Sequence, residues 1–560
     1  MKKKITKLLA LLLACVMLLA LAACGGNNNA SDQGGSTGTG SGTSPDSGSS
    51  ASSDSGSGSG SSTGTGPSNP STAPADPGRD TFITTINSTD SGTLSPAYLT
   101  YEQYGAVMLV HEYLWDQNWD NELIYVLATH VTENTPLNWL IHLREGVTFH
   151  NGNPFTAHDV LFSMTLHKNS GWVGSPRVQD VDIENCKVID DHTLEVNWLR
   201  FNIKQYGILS DMAIYDEESF DEQKSTVEPI GTGPYKITDY VVNSHIFLEK
   251  RDDYWGDSSD MIKYMQFKFV AEPAQRVTAI ETGAVDVTAI SADDFDHVSN
   301  MSGVNVFGRY TSAWSSILFN VNPVSAFHDV EARYALCHAL NRQSIINLVY
   351  LGHARLMKGP TTEEDTDHES WMDNLHETYS VGYNVERAKE LADKAGLSGK
   401  TINVILNGTS VNIATAEMIQ NMLQAIGVTV NINTFDNAGY RAARDGDPAV
   451  WDFAITNHVS PGQVTANRLV NEVRNMVIFN APIWDGYEEY TVKAPLAYAE
   501  PDPVLRKEIT RDLLIKFNEA CLYYAICEAM AFTAEKDYIN HDSLIYRSNA
   551  GLMYRFVRFN

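Results

Sequence analysis

The chain has 560 residues, with 40 Lys+Arg against 69 Asp+Glu, a formal charge of −29. So negative a surface repels phosphate backbones and excludes nucleic acid as a partner. With 10 Trp, 25 Tyr and 20 Phe the chain is too aromatic to be wholly disordered, and six cysteines are too few for a disulfide scaffold. Its length has room for roughly two to four domain-sized cores.

Residues 1–23 read as a secretory signal: Lys2, Lys3, Lys4 and Lys7, then an apolar run from Leu8 to Ala23. The run is short for a membrane span. It closes on Leu21-Ala22-Ala23-Cys24-Gly25, which resembles the bacterial lipoprotein cleavage box. That resemblance implies cleavage before Cys24 and a lipid anchor on its thiol; ordinary Ala-x-Ala cleavage or an uncleaved anchor is the alternative. Cys15 is the lesser candidate, since no polar sequence follows it. Loss of the four leader lysines brings the mature charge to 36 − 69 = −33. Residues 24–79 read as a tether. From 25 to 79, 45 of 55 residues are Gly, Ser, Thr, Asn or Pro, so the segment cannot bury a core. Random-coil scaling gives it an r.m.s. reach of roughly 40 Å.

Order is expected from Thr81-Phe82-Ile83-Thr84-Thr85-Ile86, which reads as a strand. Further β-branched or aromatic strands follow at Thr193–Leu199, Ile246–Lys250 and Tyr264–Val270. After Asp329 a helix is expected, with Ala332, Leu336, Ala339 and Leu340 on one face. Thr401–Leu406 and Val428–Thr434 are strands flanking a helix that starts after Asn412. Its Ile419, Met422, Leu423 and Ile426 share a face, and it stops at Gly427. This β-α-β unit predicts two parallel strands with a right-handed crossover. Ligand sites in such sheets gather at strand carboxyl ends, so the loop Thr456–Gln463 is a site candidate. Asp502-Pro503 predicts an N-cap and N1, with Leu505, Ile509 and Leu513 following every four residues. The mixture indicates α/β architecture in more than one domain.

Motifs for chemistry are mostly missing. Gly-x-Ser-x-Gly occurs at Gly34–Gly38, inside the tether and without a strand before it or a helix after it. No His-Glu-x-x-His or Cys-x-x-Cys is present. Gly399-Lys400-Thr401 lacks the upstream glycine of a phosphate loop and precedes a strand. His142, His150 and His158 recur every eight residues, but Gly146, Gly152 and Pro154 break any shared helix, so no metal and no cofactor is expected. Cys521 and Cys527 lie in a stretch read as helical, roughly 9 Å apart along it and on different faces, too far to bridge. Whether Cys186 pairs with Cys337 stays open. An exported, tethered α/β protein without a reaction centre favours binding over catalysis.

The run Trp139–Ser163, with Arg144-Glu145-Gly146-Val147-Thr148-Phe149-His150-Asn151-Gly152 at its heart, closely resembles the signature of the family 5 solute-binding proteins of ABC importers, the oligopeptide, dipeptide and nickel-binding group. Gly146 and Gly152 permit turns, Phe149 packs between them, and Thr156 can cap a helix whose first turn holds Asp159. Further matches follow in the family's order: Pro229–Tyr235, Arg251–Trp255, Glu281–Val287, Asn320 with Phe327–Arg342, and Ala388–Gly396. The resemblance covers nearly all of 82–560.

It implies a two-lobed periplasmic-binding-protein-like α/β fold of type II with an extra inserted domain and a ligand cleft between lobes. Domain I would comprise 80–111, 229–308 and 529–560, domain II 112–228, and domain III 309–528, with two strands crossing near 305–312 and 525–532. It implies a monomeric receptor, exported to the outer face of the cytoplasmic membrane (the periplasmic space where an outer membrane exists). The receptor would hand a peptide or peptide-like solute to permease subunits, with ATPase subunits acting indirectly. It implies Thr100, Glu102, Ile290, Ser291, Trp314, Arg444, Asn457, His458 and Ser460 as ligand-binding positions. Arg444 falls where peptide-binding relatives place an arginine for a carboxylate. Core packing is the alternative for Trp314, and a surface ion pair for Arg444. Two departures matter. The loop 456–461 has no acid to hold a peptide amino group, and Ser95-Pro96 replaces the usual Asp-Pro. Glu102 is the candidate replacement acid. Backbone-only peptide capture, a nickel chelate, a sugar or an opine, and a peptide-signal receptor remain open alternatives, with an extracellular hydrolase or adhesin as the remote one.

Overall fold

In the computed structural model, residues 79–560 are described except 89, 97–102, 121, 170–177, 211, 360, 364, 366, 373–374, 460–464, 467, 471–485 and 548–550, with only the backbone of 458–459. The leader, Cys24 and the tether up to residue 78 lie outside the described residues, as do Thr100, Glu102 and Ser460.

The strands run in chain order as β1 (Thr81–Ile86), β2 (Trp115–Gln117), β3 (Leu123–Tyr125), β4 (Ala128–Thr135), β5 (Asn138–Leu143), β6 (Lys187–Asp190), β7 (Thr193–Asn197), β8 (Tyr235–Val241), β9 (His245–Lys250), β10 (Tyr264–Phe269), β11 (Val287–Ile290), β12 (Val304–Phe319), β13 (Ala354–Leu356), β14 (Thr401–Asn407), β15 (Thr429–Phe435), β16 (Phe453–Val459) and β17 (Tyr523–Lys536). One large sheet has the order 15-14-16-12-17-11-1-10-9-8, with β13 added on β17; a second, of order 4-5-7-6, is separate. The expected β-α-β unit is present: β14 and β15 pair in parallel from Thr401↔Thr429 to Asn407↔Phe435, around the helix Ser410–Gln424. Gly427, at φ 78°, turns the chain from that helix into β15 in the left-handed conformation glycine tolerates best. Asp502 caps the helix Pro503–Ala520 through the Val504 and Leu505 amides. Ile509 and Leu513 face the core, but Leu505 is exposed, because four-residue steps drift off a 3.6-residue face.

The core is divided. One apolar cluster spans 114–214 around Trp115, Trp139 and Phe149. A second joins Phe82, Tyr235, Phe267 and Val557, and a small third joins Ile290, Val304 and Phe532. The largest runs from Trp314 to Cys527. Each large side chain so buried contributes roughly 1.5–3 kcal/mol. β12 and β17 belong to both sides of this division. They pair from Val304↔Lys536 to Tyr310↔Met530 near the small cluster, and from Trp314↔Glu528 to Leu318↔Tyr523 inside the largest. Sixteen residues of β12 extend roughly 53 Å, long enough to link two halves of a protein this size.

The signature motif builds architecture. Gly146 (φ 75°) and Gly152 (φ 91°) turn the chain, and Phe149 is fully buried. Asp159 accepts the Thr156 amide at 2.7 Å and the Glu217 amide at 3.0 Å, fastening the helix Ala157–Asn169 to a distant segment. Gly231 and Gly233 lie against the 109–110 backbone: a Cβ on either would meet a carbonyl oxygen at 2.2 or 2.3 Å. The three evenly spaced histidines do not converge. His142 stacks on His130, His158 is exposed, and His150 bonds the Gly233 carbonyl at 3.0 Å.

Candidate functional site

The passage of β12 and β17 between cores is interrupted by a bulge between Tyr310 and Trp314. Ser312 sits in it at φ 54°, unusual for a residue with a Cβ. Its amide donates to the Glu528 carboxylate at 2.9 Å. Glu528 is fully buried, and its other oxygen takes a fork from Arg355 at 2.8 and 2.6 Å. Arg355 in turn lies 4.1 Å over the Tyr310 ring. A buried carboxylate is tolerable when it is both paired and hydrogen-bonded, as here.

The network continues toward Trp314. The Ser312 hydroxyl meets Thr362 Oγ1 at 3.3 Å, and Thr362 Oγ1 accepts from Arg468 at 3.2 Å. Arg468 pairs with the buried Asp365 at 2.9 Å and lies 4.2 Å over the Trp314 ring. Burial outweighs the Arg468 charge and pushes the Asp365 pKa up to about 6. Trp314, Arg468, Thr465 and Tyr523 enclose a space of only about 20 Å³, room for one water. It is an aromatic wall and not a chamber.

A larger cavity, about 410 Å³, opens beside the first-half strands, lined by Thr84–Asn87, Tyr104, Thr288, Arg309 and 531–533 with Tyr546 and Arg547. This volume suits a small solute or part of a peptide. The Arg309 guanidinium lies 3.5 Å over the Tyr546 ring and 5.6 Å from that of Trp119. Arg547 pairs with Asp116 at 2.7 Å, both buried.

The expected positions fall into separate places. Trp314 is 7% exposed, and its backbone pairs with His458 while Ser315 pairs with Asn457, so these three are brought together on β12 and β16. Asn457 is exposed and its amide donates to Asn412 at 3.2 Å; the His458 side chain is outside the described residues. Arg444 forms a fork with its neighbour Asp445 at 2.7 and 3.1 Å, while remaining close enough to Tyr523, in the Trp314 wall, to interact electrostatically. Ile290 is not with them: it packs in the small cluster opposite Phe532. Ser291 bonds Asp294 at 2.5 Å at the start of a short helix. Sequence reasoning missed Glu528, Asp365, Arg468, Arg309 and Arg547. Arg309 and Glu528 carried a signal, their places in the two expected crossing segments.

Among the described residues no group of three His, Cys, Asp or Glu is arranged to hold a metal ion, and no helix is long and apolar enough to cross a membrane. Two separately packed halves linked by long strands define a two-lobed α/β binding-protein fold. The solved ABC transporter-associated periplasmic binding protein DppA of Helicobacter pylori, in complex with the peptide STSA, superposes with a TM-score of 0.69 at 19% identity, covering 86% of this chain and 98% of that one. NikA from Brucella suis, in complex with Fe(III)-EDTA, gives 0.74 at 18% identity, covering 86% and 100%. Residues 122–474 match the model of the bacterial extracellular solute-binding proteins, family 5, and the chain belongs to that family. The Dipeptide-binding protein of Escherichia coli is 27% identical over 362 residues, 55% of this chain and 63% of its relative. The chain spans little more than half the length of the curated relatives it matches first.

Proposed function

We propose that this protein is the extracytoplasmic receptor of an ABC importer, capturing oligopeptides or a peptide-like solute by lobe closure and passing it to the permease. It binds and does not catalyse. The observation that carries this reading is the pair of long strands, β12 and β17, joining separately packed cores, with a bulge and a polar network between them and Trp314 just beyond. Closure around a guest is stabilised only by contacts made in the closed state. In this reading domain I (80–111, 229–308, 529–560), domain II (112–228) and domain III (309–528) act as two lobes. Trp314 supplies apolar contact, Arg444 exchanges Asp445 for a ligand carboxylate, and Asn457 and His458, on β16 beside Trp314, act with Ser460 as polar contacts; Thr100, Glu102, Ile290 and Ser291 complete the first-lobe side. Cleavage after residue 23 and lipidation of Cys24 leave a monomer on a flexible tether at the membrane face.

Native mass spectrometry of freshly purified protein tests this, followed by thermal-shift screening with peptide libraries. A retained peptide, or stabilisation by peptides at large excess, is expected. Failure of every peptide, with stabilisation by a nickel chelate or an opine instead, transfers the reading to a non-peptide solute.

A further inference from the structure

Cys337 and Cys521 are 184 residues apart in sequence, yet their sulfurs lie 3.5 Å from one another, both buried. The other two described cysteines lie elsewhere. Cys186 is in the 114–214 cluster, and Cys527 lies six residues after Cys521, on β17. The juxtaposition is held by more than packing. Arg333, one helical turn before Cys337 on the helix Val330–Ala339, donates to the Ala520 carbonyl at 3.1 Å and to the Phe327 and His328 carbonyls at 2.7 and 2.8 Å. Tyr334 donates its hydroxyl to the Glu519 carbonyl. Residues 333, 334 and 337 share one helical face by their i, i+3, i+4 spacing, so that face grips the last carbonyls of the helix Pro503–Ala520. Cys521 follows at once, in the left-handed conformation (φ 44°, ψ 51°), its amide bonded to the Asn518 carbonyl at 3.0 Å. The backbone on both sides is thus fixed, with the two sulfurs facing. A disulfide requires about 2.05 Å, and the remaining approach of about 1.5 Å is within reach of small side-chain rotations.

We propose that Cys337 and Cys521 form a disulfide in the exported chain, clamping the largest core immediately before β17 begins. Two thiols lose two protons and two electrons and one S–S bond forms. The electrons reduce an external disulfide, small-molecule or that of a thiol oxidoreductase, to two thiols by successive exchange. Burial of both sulfurs directs this exchange to the folding chain, before the core closes. Occurrence in the cell rests on export, part of the reading above, but not on the ligand. The chemistry itself is tested independently of both.

The full chain is unfolded in urea, refolded with a glutathione/oxidised glutathione mixture, then denatured and alkylated without reductant. The expected result is one cross-linked peptide pair containing residues 337 and 521, two hydrogens lighter than the reduced pair, with Cys186 and Cys527 alkylated. Alkylation of both Cys337 and Cys521, or a link from either to any other cysteine, overturns the proposal. Oxidised protein should also melt at least about 5 °C above reduced protein, as expected for closing so long a loop. That difference should vanish in the Cys337→Ser/Cys521→Ser double variant. Equal melting of oxidised and reduced wild type counts against a clamp.

Discussion

The stretch 139–235 and the surroundings of Trp314 contrast sharply. The first carries the most legible motifs, and nearly all of them turn out to be masonry: glycines where no Cβ fits, an Asp159 that fastens a helix, a Phe149 that fills a core. The second carries almost no motif. Yet it holds the bulged strand, a buried carboxylate and an arginine over a tryptophan. Recurrent sequence patterns mark positions where backbone geometry leaves one choice. Side chains that meet a ligand or govern a hinge are assembled from distant segments, and no local pattern announces them.

The contrast can be broken most directly at Gly231. A Gly231→Ala variant puts a methyl group 2.2 Å from the Val110 carbonyl oxygen, backbone that cannot yield cheaply. It should cost at least about 4 kcal/mol in urea unfolding, or abolish soluble expression. A cost below about 1 kcal/mol would mean that the motif glycine is not architectural.

On the other side, Glu528→Gln removes the charge facing Arg355 while keeping an acceptor for the Ser312 amide. A loss of about 2 kcal/mol is expected, since Arg355 loses its buried partner but is itself only partly buried and keeps Glu363 at 3.3 Å. An unchanged urea midpoint would show that the pair is dispensable.

Titration should separate the two regions by sign. His111 and His167 are buried, bond the Ile214 and Ala213 carbonyls, and are held neutral, each pKa lowered to about 4 by burial. A histidine depressed in the folded state stabilises above its unfolded pKa near 6.5, and that stability is lost as pH falls toward 4. Asp365 is raised to about 6, so its contribution is present below the unfolded pKa near 4 and lost as pH rises through 6. From pH 7 to 5 the two histidines cost more than Asp365 returns, and His150, its pKa lowered to about 3 by burial, adds to the loss, so denaturant melts should show a net loss of at least about 2 kcal/mol. A gain in stability at pH 5 would reverse the assignment.

Ligand contact is sharpened by Trp314→Ala, expected to weaken binding of a retained peptide at least tenfold, about 1.4 kcal/mol, in calorimetry. Unchanged affinity in a folded variant would return Trp314 to core packing. The smallest stability change belongs to Arg444→Met, because its partner Asp445 is adjacent and more than a third exposed. Stability should stay within about 0.5 kcal/mol. Peptides with a free carboxylate should lose affinity while amidated ones do not.

By itself the sequence determined the local elements. Alternating β-branched runs made β1, β9, β10, β14 and β15, and Asp329, Asp502 and Gly427 set helix ends, because caps and periodicity act over a few residues. It also determined the family, through ordered motifs whose glycines have no substitute. Tertiary structure alone decided that Ile290 packs with Phe532 while Trp314 meets Arg468, and that Cys337 faces Cys521 and not Cys186. It alone placed Glu528 under the bulge at Ser312. These partners lie well over a hundred residues apart, and their meeting depends on how whole strands and helices are stacked, which no window of sequence contains.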